Sequence, residues 1–148
     1  MGTTMSEKAH KCVLLADRHL ELTEGVRGLL ETTFDVVVMV ADEPSLFESA
    51  QRLQPALAVM DLSLVRGDGL GWLQRLRARC PNSKLILLSV HDEPSVCREA
   101  LGAGADGFVL KRMIATELLT AIDSVMSGRR YASPRAWGRE PRPTRSNL

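Results

Sequence analysis

The chain has 148 residues, room for one domain with its own hydrophobic core and too little for two of ordinary size. Hydrophobic residues make up 45% and charged residues 25%, which excludes collagen-like, disulfide-rich and low-hydrophobicity disordered classes. The net charge of +1 excludes a globally basic nucleic-acid binder, but the charge is uneven. Residues 129–148 hold six arginines and one acid, so this tail is about +5 and the remainder about −4.

In chain order, five short apolar runs alternate with amphipathic stretches. The runs are Cys12–Ala16, Asp35–Val40, Ala56–Met60, Leu85–Leu88 and Phe108–Leu110. They are brief, rich in branched residues and apolar on both faces, as strands covered on both sides of a parallel sheet must be. The first helix is predicted near 19–32, with Leu22, Val26, Leu29 and Leu30 on one face. A second, near 44–53, carries Leu46, Ala50 and Leu53, with Pro44 in its first turn. Leu70, Leu73 and Leu76 predict a third near 69–79, stopped before Pro81. Val96, Ala100 and Leu101 predict a fourth near 93–102, ended by Gly102 or Gly104. Leu118, Leu119, Ile122 and Met126 line a fifth, followed by Gly128.

The alternation predicts a (βα)5 domain, a parallel sheet with helices on both faces. Residues 1–10 are read as a disordered or extraneous N-terminal lead, 11–128 as the domain, and 129–148 as an Arg/Pro-rich linker or tail. Cys12, Cys80 and Cys97 form an odd, scattered set that suits neither a disulfide framework nor a zinc site, so free thiols in a reducing cytosol are expected. No apolar run reaches the ~20 residues of a membrane span. Residues 1–11 contain no apolar core like that of a signal peptide. A cytoplasmic protein without a membrane partner is the expectation.

Functional groups of such sheets gather beyond the carboxyl ends of the strands. Asp17 follows the first predicted strand, Asp61 the third, Ser89 the fourth and Lys111 the fifth. Taken singly, each has a plain reading: an Asp or Ser as turn former or helix cap, a Lys as a solvated cation. Taken together they converge on one rim with coherent chemistry. A carboxylate can attack phosphorus and hold a phosphoryl group as an acyl phosphate. The product is densely anionic and calls for a fixed ammonium, a hydroxyl donor and a hard divalent cation such as magnesium.

With these residues in view, the chain resembles response-regulator receivers of the LuxR type. The matching segments are Val13–His19, Glu24–Gly25, Val59–Leu64 with Gly69–Leu70, Leu87–Ser89, and above all Glu99–Lys111. Ser127–Gly128 with Tyr131–Pro134 is similar to the end of such receivers, so the resemblance covers about residues 11–134. It implies a doubly wound three-layer sandwich of the flavodoxin/CheY-like kind, with a five-stranded parallel sheet in the order 2-1-3-4-5. It implies Asp61 as phosphoacceptor, Ser89 as switch hydroxyl, Lys111 as phosphate-binding lysine and Phe108 as switch aromatic. The plain reading of Phe108 is a core residue. It further implies a metal held by Asp17, Asp61 and the backbone carbonyl of Ser63. A sensor histidine kinase would supply the phosphoryl group. The helix 4–strand 5–helix 5 face, roughly 92–128, would then act on transcription through a second copy or an output domain. No helix-turn-helix follows Pro134, so contact with DNA would run through an output domain not present in this chain.

The chain departs from the family at Arg18, where a second acid normally ligates the metal. A guanidinium cannot coordinate a metal and keeps its charge at ordinary pH. Weakened or absent magnesium binding follows. Three placements are open to Arg18: paired with Asp61 or Asp17, substituting for the metal's charge, or turned to solvent. Glu21, one turn along, offers a replacement ligand. Val65 stands where a proline is common after the acceptor, and Arg112 follows Lys111 where many receivers carry proline. The competing reading is a pseudo-receiver, the same fold used as an interaction module without phosphorylation. A haloacid-dehalogenase-type phosphatase would want a second Asp at position 63, where Ser63 stands. A dinucleotide-binding fold would want glycines in place of Asp17–His19. His19 reads as an ordinary helix-start residue.

Overall fold

The computed structural model describes residues 11–67 and 69–137. Five βα units follow one another: β1 (Cys12–Ala16), α1 (Leu20–Leu30), β2 (Val36–Val40), α2 (Glu43–Leu53), β3 (Leu57–Asp61), α3 (Gly71–Arg79), β4 (Lys84–Ser89), α4 (Pro94–Gly102), β5 (Gly107–Leu110) and α5 (Ile114–Met126). Single 3-10 turns, Leu62–Leu64 and Lys111–Met113, follow β3 and β5. The sheet is parallel throughout, in the order β2-β1-β3-β4-β5-β6.

The sixth strand is the one departure from the expected architecture. Tyr131–Ala132 form β6, paired with Gly107 and Phe108 of β5, and Pro134–Trp137 form a short α6. Composition pointed to a linker here. The backbone instead finds partners on the β5 edge: Tyr131 N–H donates to the Asp106 carbonyl and Ser133 N–H to that of Phe108. Residues 138–148, and the N-terminal lead 1–10, lie outside the described residues.

The sheet divides the core in two. Alternate β1 residues face opposite ways. Leu14 and Ala16 join Leu46, Ala50, Leu73, Leu76 and Ala100 of α2, α3 and α4. Val13 and Leu15 join Val26, Leu30, Leu118 and Ile122 of α1 and α5. The three-layer, doubly wound arrangement follows. Leu119, expected on the packed stripe of α5, is 42% exposed, because Leu118, Ala121, Ile122 and Val125 already fill the seam. Val40 aligns with Ala16, Ala16 with Met60, Asp61 with Leu88 and Ser89 with Leu110. Those pairings bring the carboxyl ends of β1, β3, β4 and β5 to a common rim.

Candidate functional site

Asp17 is the first residue past β1, and its N–H donates to the Val40 carbonyl. Asp61 is the last of β3. Both residues are only 3% exposed. Two carboxylates that deep are costly unless paired. Lys111, the first residue past β5, supplies the pairing. Its Nζ lies 2.9 Å from Asp17 Oδ2 and 3.2 Å from Asp61 Oδ1, with the lysine side chain 9% exposed. One ammonium between two carboxylates leaves this group with a net charge of −1.

The other candidates are placed as follows. Ser63 donates its hydroxyl to Asp61 Oδ2 at 2.7 Å, so it is the Ser63 side chain that addresses Asp61. Ser89 lines the same cavity, of about 420 Å3, as Asp61, Ser63, Lys111, His19 and His91. Its Oγ is engaged with its own loop, accepting from the His91 N–H at 2.9 Å and donating to the His91 carbonyl at 3.3 Å. Phe108 is fully buried in the core shared with α3 and α4.

Of the three placements open to Arg18, the structure comes nearest to the one turned to solvent. The residue is exposed, and its guanidinium donates to the Leu64 carbonyl at 3.3 Å. It therefore ties the loop after β1 to the turn after Asp61, and Lys111 takes the carboxylates. Glu21 and Arg18 line a neighbouring, outer cavity with His19 and Lys111. Past the turn, Gly67 and Gly69 adopt positive φ of 122° and 63°, where a side chain is strained, so the loop lacking a proline is shaped by glycine.

His19 was passed over by sequence reasoning. Its backbone N–H donates to Asp17 Oδ1 at 2.9 Å, its ring Nδ1 lies 2.9 Å from the same oxygen, and Nδ1 is 3.2 Å from Lys111 Nζ. The signal was present in the spacing: a residue two positions after a rim aspartate, at a helix start, folds back onto it.

A carboxylate flanked by an ammonium and a hydroxyl stands here at the carboxyl end of a parallel doubly wound sheet, where such folds carry their functional groups. The sequence matches the family model of the response regulator receiver domain over residues 13–123, and the chain belongs to that family. It is 31% identical over 125 residues to the transcriptional regulatory protein DegU of Brevibacillus brevis, covering 83% of this chain and 53% of that protein. It is 31% identical over 126 residues to the nitrate/nitrite response regulator protein NarL of Escherichia coli (strain K12), covering 84% and 58%. The chain thus spans somewhat more than half the length of these relatives. Among solved structures, a LuxR-family two-component response regulator from Aurantimonas sp. SI85-9A1 superposes with a TM-score of 0.76 at 29% identity, covering 84% of this chain and 91% of that one. This is a receiver domain of the LuxR-family response-regulator type, a signalling domain rather than an enzyme in the ordinary sense.

Receivers of this family typically bind magnesium. Magnesium demands near-octahedral coordination by oxygen and keeps part of its water. The donor set here does not match that demand. The position that would add a carboxylate holds Arg18, turned to a carbonyl, and the Lys111 ammonium stands between the two carboxylates that remain. Among the described residues, the group of side chains close enough to share an ion is Asp17, His19 and Asp61, one donor of which is a nitrogen.

Proposed function

We propose that this chain accepts a phosphoryl group on Asp61 from the phosphohistidine of a sensor histidine kinase and passes the change to a partner. A carboxylate oxygen of Asp61 attacks phosphorus, the P–N bond breaks with the electron pair leaving on the imidazole, and an acyl phosphate forms. Lys111 Nζ already contacts Asp61 Oδ1 and is placed to hold the phosphoryl oxygens as charge develops there. Ser89 gives up its loop contacts with His91 to donate to the phosphoryl group, which releases the segment leading into α4. Phe108, between β4 and the tail strand, repacks with it. The α4–β5–α5 face then docks a second copy or an output domain that controls transcription, in the cytoplasm where the kinase's phosphoryl donor is made. The observation that carries this reading is the Asp17–Lys111–Asp61 bridge at the common rim of β1, β3 and β5.

The pseudo-receiver reading is favoured by one observation, the cationic Arg18 latched to the Leu64 carbonyl where a metal ligand would stand. Incubation with acetyl phosphate followed by intact-mass measurement separates the two. One added phosphoryl group in the wild type, absent in Asp61→Asn, is the expected result. An unmodified wild-type chain, under conditions that label a control receiver, supports the module that acts without phosphate.

A further inference from the structure

Residues 130–137 are tied to three elements at once. On the β5 side, Ser133 N–H donates to the Phe108 carbonyl, and Ser133 Oγ accepts from the Leu110 N–H at 3.0 Å. On the α5 side, Glu117 accepts from Ser133 Oγ and from the Tyr131 hydroxyl. On the α4 side, the Arg130 guanidinium donates to the Leu101 carbonyl at 3.1 Å. There α6 also lies against α4, with Ala136 fully buried in the core that holds Cys97, Ala100 and Leu101. The segment therefore bridges α4 to α5 across the β5 edge.

The two anchorages differ in strength. The α5 anchor is one carboxylate with two hydroxyl donors, one of them on fully buried Ser133. Bonds to a charged group sealed from water are the strong ones. The α4 anchor is one bond from exposed Arg130, together with a single small side chain, Ala136. The Leu101 carbonyl lies in the last turn of α4, where the helix dipole favours a cation, but it already accepts from the Gly104 N–H. Solvent that reaches Arg130 competes for the same bond. A shift of α4 against α5 shears the segment, and the α4 anchor yields first.

We propose that residues 130–137 are an autoinhibitory strap. Docked on α4, they hold the α4–β5–α5 face in its unswitched arrangement. Phosphorylation of Asp61 detaches Arg130 and α6 from α4, while β6 stays on β5. The proposal rests on the receiver reading, in which Ser89 leaves His91 and frees the segment leading into α4. The strap is placed to oppose that change, because its partners on β5 are Phe108 and Leu110, and Lys111 follows directly. Detachment uncovers apolar surface around Ala100 and Leu101, on the face that docks the partner. Such coupling is reciprocal: a strap that opposes the switched state is loosened by it, and a loosened strap favours it.

The test uses the full chain carrying Ala136→Cys, whose reaction with a thiol reagent, located by peptide mass, reports departure of α6. Acetyl phosphate, which gives its phosphoryl group to Asp61 as acetate leaves, is expected to speed reaction at position 136 about 10-fold. Asp61→Asn should remove that increase. Without acetyl phosphate, Arg130→Ala should speed reaction at position 136 by about 3- to 10-fold. It should also shift the His91 amide resonance, beyond the other end of α4, and raise the rate of Asp61 phosphorylation by a similar factor. Arg130→Lys, which keeps the cation, should do less on each count. Reaction at position 136 that phosphorylation of Asp61 leaves unchanged, or a His91 amide unmoved by Arg130→Ala, would overturn the proposal. If Asp61 takes no phosphoryl group, the receiver reading fails, and the Arg130→Ala measurements decide on the strap alone. If Ala136→Cys does not fold, hydrogen exchange of the Ala136 N–H, which donates to the Ser133 carbonyl, replaces it.

Discussion

At the scale of single residues, Lys111 carries the most weight. It is the ammonium that offsets two buried carboxylates, and removing one member of such a group leaves uncompensated charge. Lys111→Met is expected to lower unfolding free energy by about 3–5 kcal/mol, measured by urea denaturation. It should also abolish labelling of Asp61. Cys80 and Cys97 behave oppositely: both are buried and inert. Burial pushes the Cys97 thiol up to about 11 and raises that of Cys80 as well. Neither forms appreciable thiolate at neutral pH, and thiolate is the reactive form. A thiol-specific reagent at pH 7.5–8 should label Cys97 and Cys80 only at the rate of unfolding, which is checked by adding denaturant. Asp17, Asp61, Ser89 and Lys111 were legible from the sequence because each falls just past an apolar run. His19 was legible only in its two-residue spacing from Asp17; the ring orientation toward Asp17 and Lys111 was not, because spacing does not fix it.

At the scale of elements, the tail strand is the informative case. Ser133 is fully buried. Its Oγ accepts from the Leu110 N–H at 3.0 Å and donates to Glu117, which also accepts from the Tyr131 hydroxyl at 3.0 Å. β5, α5 and β6 are thereby joined through one carboxylate. Ser133→Ala orphans a buried backbone donor, so a loss of about 1–3 kcal/mol is expected by thermal and chemical unfolding. The same network gives an alkaline signature. Desolvation, helped by Glu117, pushes the Tyr131 hydroxyl up to about 12 from its usual 10. The folded state holds that proton more tightly than the unfolded state does. Its contribution is fully present below pH 10 and is lost as pH rises through 12. The stability of wild type relative to Tyr131→Phe should therefore decline across that window and stay level below it. Neither strand nor network was legible from composition. A two-residue strand has no periodicity to read, and its partners lie 23 or more residues away in β5.

At the scale of the molecule, both cores are built on one sheet. Leu14 faces one and Leu15 the other, so neither layer can be lost while the strands persist. Unfolding is expected to be a single transition. Trp72 fluorescence, isolated in a Trp137→Phe background, and far-UV circular dichroism should give the same midpoint, and separated midpoints would show that the layers are independent. The order β2-β1-β3-β4-β5 fixes which strand ends become neighbours, and β1, β3 and β5 converge at the bridged carboxylates.

The sequence alone determined the alternation of buried strands and amphipathic helices, and with it the strand ends where Asp17, Asp61, Ser89 and Lys111 stand. Burial periodicity is a local property, written directly into the order of side chains. Only the tertiary structure decided that Arg18 turns to the Leu64 carbonyl, that Lys111 bridges the two carboxylates, that His19 joins them, and that residues 131–132 close the sheet edge. Those outcomes are settled by competition among groups distant in the chain for the same few partners. A side chain's winning contact depends on which others reach the rim.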